Sequence, residues 1–266
     1  MILHGLRQTR YNHHDDFHKP HHHPHKPGQE SIETKKTGRG REIKIVRRVL
    51  DVNEAMAAQN RKRFSEKGIF VLNVMSSPGS GKTTTLVKTL NAIKDDIKSA
   101  VIVGDICTTN DADRLSETGV PVVQVNTDEF GGDCHLTALV IENAFSSLDT
   151  DDIDLLIVEN IGNLVCPAEF DIGEDARAVI LSVTEGEDKP LKYPLMFRES
   201  DIALLNKIDL LPYLDFDMDE ARKSILTIHP DMPIFEISSK TEEGMAKWIS
   251  WLKESIQKKK ALMARQ

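Results

Sequence analysis

The sequence predicts an α/β fold, a mostly parallel sheet flanked by helices. Three observations carry the prediction. Short apolar runs fall at 69–75, 100–104, 122–125, 154–158, 178–183, 202–205 and 234–237, each bounded by polar or glycine-containing segments. Runs of this length suit buried strands. Helical spacings separate several of them. Finally, the first run opens into Ser76-Ser77-Pro78-Gly79-Ser80-Gly81-Lys82-Thr83, followed by a helical pattern from Thr84 to Leu90. Strand, glycine-rich turn, Lys-Thr and helix make a P-loop, so the expected fold is that of a P-loop NTPase. The 266 residues suit one domain of about 200 residues with an extension.

Residues 1–40 read as a disordered tail. Eight histidines, His4, His13, His14, His18, His21, His22, His23 and His25, sit among Pro, Asp and Lys, with little apolar surface to offset the ordering entropy. Neutral imidazoles in a loose array suit late transition metals, with Ni²⁺, Cu²⁺ and Zn²⁺ as candidates. Residues 41–68 read as a helix: Val46, Val49, Leu50, Val52, Ala55, Met56 and Ala57 form its apolar stripe and Gly68 stops it. Its plain role is packing at the domain edge.

In the P-loop, Gly79 and Gly81 let consecutive backbone N–H groups turn toward phosphate oxygens, with Pro78, Ser80 and Thr84 beside them. The following helix adds its positive end. Lys82 is placed to reach the outer phosphates, and the Thr83 hydroxyl to ligate Mg²⁺. Ser76 stands where the motif's first glycine usually does. The second strand ends in Asp105, a candidate for Mg²⁺-bound water, and Asp111 follows as a candidate to orient the attacking water or to cap a helix.

After the third strand comes 126–133, then Cys134, His135 and a helix carrying Leu136, Leu139, Val140 and Ala144. A cysteine beside a helix start favours thiolate, the metal-binding form. The fourth strand ends in Glu159-Asn160-Ile161-Gly162, where many P-loop GTPases carry Asp-x-x-Gly. Glu159 is expected near Mg²⁺, and the Gly162 N–H near the terminal phosphate as a sensor of hydrolysis. Cys166 follows four residues later, a span of at most about 14 Å. Cys134, His135 and Cys166 together suit Ni²⁺ or Zn²⁺ and leave a position for water or a second copy of the chain.

The sixth strand leads into Asn206-Lys207-Ile208-Asp209. Asp209 can accept from guanine N1–H and N2–H, donors that adenine lacks, so the expected nucleotide is GTP. Lys207 lies along the base and Asn206 ties its loop to the P-loop. Ser239 and Lys240, after the last strand, offer backbone N–H groups to guanine O6. A final helix from about residue 242 carries Met245, Trp248, Ile249, Leu252 and Ile256 as a packing face. Catalysis is expected from Lys82, Asp105, Asp111 and Glu159. The expected division is 1–40 tail, 41–68 helix and 69–266 GTPase domain.

A formal charge of −8 argues against a nucleic-acid groove. No leader pattern and no apolar run near 18 residues argue against a membrane, so the expected compartment is the cytoplasm. Three cysteines, Cys107, Cys134 and Cys166, suit thiols rather than a disulfide framework.

The histidine-rich tail, Ser76–Thr84, Gly104-Asp105, Cys134-His135-Leu136, the Glu159–Pro167 run with its Cys-Pro, and Asn206–Asp209 together resemble the HypB hydrogenase nickel-incorporation GTPases over about 45–257. The resemblance implies a SIMIBI-class GTPase that forms a homodimer with GTP, holds metal at the dimer interface, and delivers nickel to a hydrogenase large-subunit precursor with a partner nickel chaperone. Two departures stand out. No cysteine precedes Cys107, so the amino-terminal Cys-x-x-Cys-Gly-Cys site of some members is absent. The short Thr-Gly turn before Cys-His is replaced by residues 127–133. The rival readings are a urease-type nickel-insertion GTPase, which would carry Cys-Pro-His on its metal loop, a nickel or zinc storage protein built on the tail, and a small-molecule P-loop kinase.

Overall fold

The apolar run after Gly68 becomes the middle of the sheet. The computed structural model describes residues 40–105, 110–126, 135–148 and 152–264, with side chains from 49 onward. The histidine tail therefore lies outside the described residues, as do Cys107 and Cys134. Helix α1 (Gly40–Glu66) ends just before Gly68, whose φ of +69° turns the chain into β1 (Phe70–Ser76). Then come α2 (Lys82–Ile93), β2 (Ser99–Asp105), α3 (Asn110–Ser116), β3 (Val122–Asn126), α4 (Ala138–Ser146) and β4 (Leu155–Gly162). The short α5 (Cys166–Glu169), β5 (Ala176–Ser182), α6 (Lys189–Lys192), α7 (Pro194–Arg198) and β6 (Ile202–Asn206) follow. A 3₁₀ turn (Ile208–Tyr213), α8 (Met218–Ile228), β7 (Ile234–Ile237) and α9 (Met245–Met263) complete the order.

The seven strands form one sheet in the order β3-β2-β4-β1-β5-β6-β7, and each neighbouring pair is parallel. From β1 and β4 the chain runs outward to opposite edges. That reversal opens a crevice beyond the carboxyl ends of these central strands, where the P-loop sits. The strands read as apolar runs because both faces are covered. On one face α2 and α9 lay Leu86, Leu90, Ile93, Trp248 and Leu252 over Leu72, Val74, Val101 and Ile157. The Trp248 Nε1–H reaches Thr89 Oγ1 at 2.9 Å, so the indole is buried with its polar atom paired. On the other face Phe64 of α1 meets Phe145 of α4 edge-on, centroids 4.9 Å apart, over Val71, Ile102 and Val158.

Two expectations change. The stripe expected on α1 is for the most part not its inner face: Val49 and Val52 are 54% and 66% exposed, and among its described side chains only Ala57 is fully buried, alongside Asn53, Asn60 and Phe64. These four are spaced at helical periodicity, but two are asparagines, which disguises the buried side. Leu136 lies ahead of α4 rather than on it, because Thr137 caps the helix by accepting from the Val140 N–H. No helix among the described residues is long and apolar enough to cross a membrane.

Candidate functional site

The P-loop curls through two left-handed glycines, Gly79 at φ +76° and Gly81 at φ +98°. At Gly81 space forbids a side chain as well, since an added Cβ would lie 2.5 Å from Asn206 Nδ2. Asn206, at the end of β6, is 1% exposed. Its Nδ2 donates to Ser80 O at 2.9 Å, and its Oδ1 accepts from Ser239 N at 3.2 Å and Ser239 Oγ at 3.1 Å. Lys207, held at φ +66°, donates from Nζ to Gly79 O at 2.6 Å. One buried amide thus ties together the P-loop, the loop after β6 and the loop after β7. Beside it a cleft of about 260 Å³ is lined by Lys207, Asp209, Ser239 and Lys240. Asp209 Oδ1 accepts from Ser238 Oγ at 2.6 Å, which orients the carboxylate. The Ser239 backbone N–H, one of the two donors expected for guanine O6, is taken by Asn206.

A larger cleft of about 470 Å³ lies over the ends of β1, β2 and β4, lined by Lys82, Thr83, Asp105, Asp111, Glu159 and Gly162 among others. Gly162 abuts the P-loop itself, because an added Cβ would meet the Pro78 backbone N at 3.0 Å. Lys82 Nζ donates to Ser76 Oγ at 2.9 Å, so the serine at the motif's first position gives the lysine a partner. Burial lowers the Lys82 pKa, opposed by the nearby Glu159 carboxylate. Glu159 is 2% exposed, and burial raises its pKa to about 7 despite Lys82 and the Thr83 hydroxyl. Thr83 Oγ1 donates to Glu159 Oε1 at 2.7 Å, while Glu159 Oε2 is buried with no hydrogen-bond partner. An unpaired, desolvated carboxylate oxygen beside a threonine hydroxyl is a hard-oxygen donor set of the kind that suits Mg²⁺.

Asp111 sits in the first turn of α3 and faces this cleft. Sequence reasoning passed over its neighbour Arg114. The Arg114 guanidinium lies 3.6 Å from Asp111 Oδ1 and donates to Thr84 Oγ1 at 2.8 Å, and it lines the same cleft. Helical i,i+3 spacing was the available signal. Glu185 was also missed: its Oε2 accepts from Ser77 Oγ and its Oε1 from Ser182 N at 3.0 Å, bracing the P-loop against the end of β5.

Of the expected soft-metal ligands, Cys166 is a half-buried free thiol at the first position of α5. The His135 ring stacks on Phe170, the residue that ends α5, with centroids 3.8 Å apart and planes 24° from parallel. The two segments are thus in contact, and Cys134 lies outside the described residues. Among the described residues, no group of three or more His, Cys, Asp and Glu is arranged to hold a metal ion.

Residues 70–236 match the family model described as the CobW/HypB/UreG nucleotide-binding domain. The chain belongs to the HypB family. The hydrogenase maturation factor HypB of Escherichia coli K12 is 52% identical over 204 residues, covering 77% of this chain and 69% of that protein. The hydrogenase/urease maturation factor HypB of Helicobacter pylori is 40% identical over 230 residues, covering 85% and 93%. Among solved structures, that of Helicobacter pylori HypB in complex with nickel superposes with a TM-score of 0.73 at 40% identity, covering 77% of this chain and 95% of that one. Archaeoglobus fulgidus HypB gives the same TM-score at 34% identity, covering 78% and 100%. The sheet and P-loop of this HypB chain are those of a nucleotide-binding P-loop domain.

Proposed function

We propose that this HypB-family chain hydrolyses GTP and carries nickel as cargo during hydrogenase maturation, releasing it as the nucleotide state changes. The observation that carries the reading is the joining of two chemistries on one short segment. Gly162 packs on Pro78 of the P-loop, and four residues further on Cys166 opens the helix whose end stacks on His135. A movement of the Gly162 backbone therefore reaches the Cys166 sulfur. Guanine selection rests on Asp209 and Lys207 beside the Asn206 tie, with Lys240 lining the same cleft. Lys82, Thr83 and the amides of Gly79, Ser80 and Gly81 bind the phosphates, Asp111 orients water, and Arg114 supplies a second positive charge over the cleft. Thr83, Asp105 and Glu159 hold Mg²⁺, which neutralises phosphate charge when bound.

The soft set, Cys134, His135 and Cys166, takes Ni²⁺, with Zn²⁺ as the competing ion. Three donors leave coordination open, and a homodimer formed with GTP completes the site. Residues 1–40, with His13, His14, His18, His21, His22, His23 and His25, buffer nickel ahead of transfer, while 41–68 and 69–266 form the helix and GTPase domain. A partner nickel chaperone and a hydrogenase large-subunit precursor in the cytoplasm are the exchange partners. A urease target is the alternative, because the Helicobacter pylori relative is named for both hydrogenase and urease.

The test is titration of GTP, ATP and Ni²⁺ into the wild-type protein and Cys166→Ala, together with phosphate release. GTP preference, phosphate release, and loss of tight nickel binding in Cys166→Ala with GTP affinity intact are expected. ATP preference, or nickel binding indifferent to Cys166, overturns the reading.

A further inference from the structure

We infer that Asn160 is a positioning residue that transmits the state of the nucleotide cleft to both metal-side segments through a buried polar relay. The inference rests on the function proposed above and names residues on which its coupling depends. Asn160 follows Glu159 in β4, and strand alternation turns the two side chains to opposite faces of the sheet. Glu159 meets Thr83 on the nucleotide side. Asn160, 1% exposed, meets the other side. Its Oδ1 accepts from Leu136 N at 3.3 Å and from Ile161 N at 3.0 Å. Its Nδ2 donates to Asn73 Oδ1 at 3.2 Å.

The chain of bonds continues across the sheet. Asn73 Nδ2 donates to Glu174 Oε1 at 3.2 Å, and Arg177 Nε donates to that oxygen at 2.5 Å. Glu174 Oε2 accepts from Ile172 N at 2.7 Å, and Arg177 Nη1 donates to Ala168 O at 3.3 Å. One branch therefore ends on Leu136, the residue after His135. The other ends on Ala168 and Ile172, within and just beyond the helix that Cys166 opens. Both branches start from a side chain two residues before Gly162, which touches Pro78 of the P-loop.

Packing alone does not call for this arrangement. Four polar side chains under a sheet face cost free energy unless each is paired, and apolar residues would fill the space at no such cost. Paired as they are, the bonds are directional. A shift or twist at the end of β4 rotates the Asn160 amide and breaks or remakes its bonds to Leu136 and Asn73 together. On this inference the amide has two arrangements, bonded as seen here and released, and a two-state element that both sites bias is the physical requirement for coupling.

The test is hydrogen–deuterium exchange of the metal-free full chain with GDP and with a non-hydrolysable GTP analogue, followed by nickel titration in the same two states. In the wild type, exchange at 135–138 and at 166–172 differs between the two nucleotides. Asn160→Ala is expected to lose the difference in both segments while nucleotide affinity stays as in the wild type, and its ratio of nickel affinities falls to one. Arg177→Lys keeps the charge beside Glu174 but shortens the reach to Ala168 O. It is expected to lose the difference at 166–172 alone, a segment-specific loss that general destabilisation does not produce. Both variants keeping the wild-type response overturns the relay, as does a wild type with no difference at either segment. A wild type whose exchange responds while its nickel affinity does not overturns the nickel-release reading instead and leaves the relay standing.

Discussion

Replacing Gly81 with alanine probes the tie between the P-loop and the base loop, and Gly79→Ala is its control. Both glycines have positive φ, +76° at Gly79 and +98° at Gly81, so each substitution carries a backbone cost of about 1–2 kcal/mol. They differ in space. Nothing lies within 4 Å of a Cβ at Gly79, whereas a Cβ at Gly81 falls 2.5 Å from Asn206 Nδ2. That amide is buried and cannot swing into solvent. Moving it unpairs Ser80 O and the Ser239 N–H, and each buried polar group left without a partner costs about 1–3 kcal/mol. Gly81→Ala is thus expected to destabilise the nucleotide-free protein by about 3–8 kcal/mol, against about 1–2 kcal/mol for Gly79→Ala. Urea unfolding reads the difference as a shift in midpoint with an unchanged slope. Equal losses in the two variants would refute the argument that Asn206 locks the loops together.

Three further outcomes follow from the site. Glu159 holds its proton up to about pH 7 in the folded state, against an ordinary value of 4.5. The folded form therefore binds more protons than the unfolded form between those values, so stability without ligands falls as pH rises from 4.5 to 7. The loss is about 3 kcal/mol at about 1.4 kcal/mol per pH unit, checked by unfolding midpoints at pH 5 and pH 7.5. On the proposed guanine reading, Asp209→Ala is expected to weaken GTP binding about 10- to 100-fold while leaving ATP binding unchanged, as read by competition titration. Arg114→Ala is expected to slow single-turnover phosphate release about 100-fold with GTP affinity nearly intact, and Arg114→Lys to retain part of the rate.

The sheet was legible because its strands are covered on both faces, so each appears as a short apolar run with a turn signal after it. The P-loop and its tie to the loop after β6 were legible because glycines, Lys82 and Asn206–Asp209 are types that few other roles require at that spacing. The buried side of α1 was not legible. Asn53 and Asn60 face inward to hold the backbone of Ala138, Asp171 and Ile172, and a hydrophobic pattern does not register asparagines. Long-range polar bonds were equally silent. Ser77 meets Glu185 across 108 residues, and Asn73 meets Glu174 across 101. The contact of His135 with Phe170 could be anticipated only as proximity of two loops, because nothing in either segment specifies ring stacking. Cys134 was chosen from its place beside a helix start and lies outside the described residues.

The nickel affinity of the full chain, measured with GDP and again with a non-hydrolysable GTP analogue, addresses the central claim most directly. If the Gly162 segment passes the state of the terminal phosphate to Cys166, the two affinities differ by about 5- to 150-fold, the range of ordinary allosteric coupling. Identical affinities would contradict the account, since a nucleotide with no differential effect on the metal site cannot drive release.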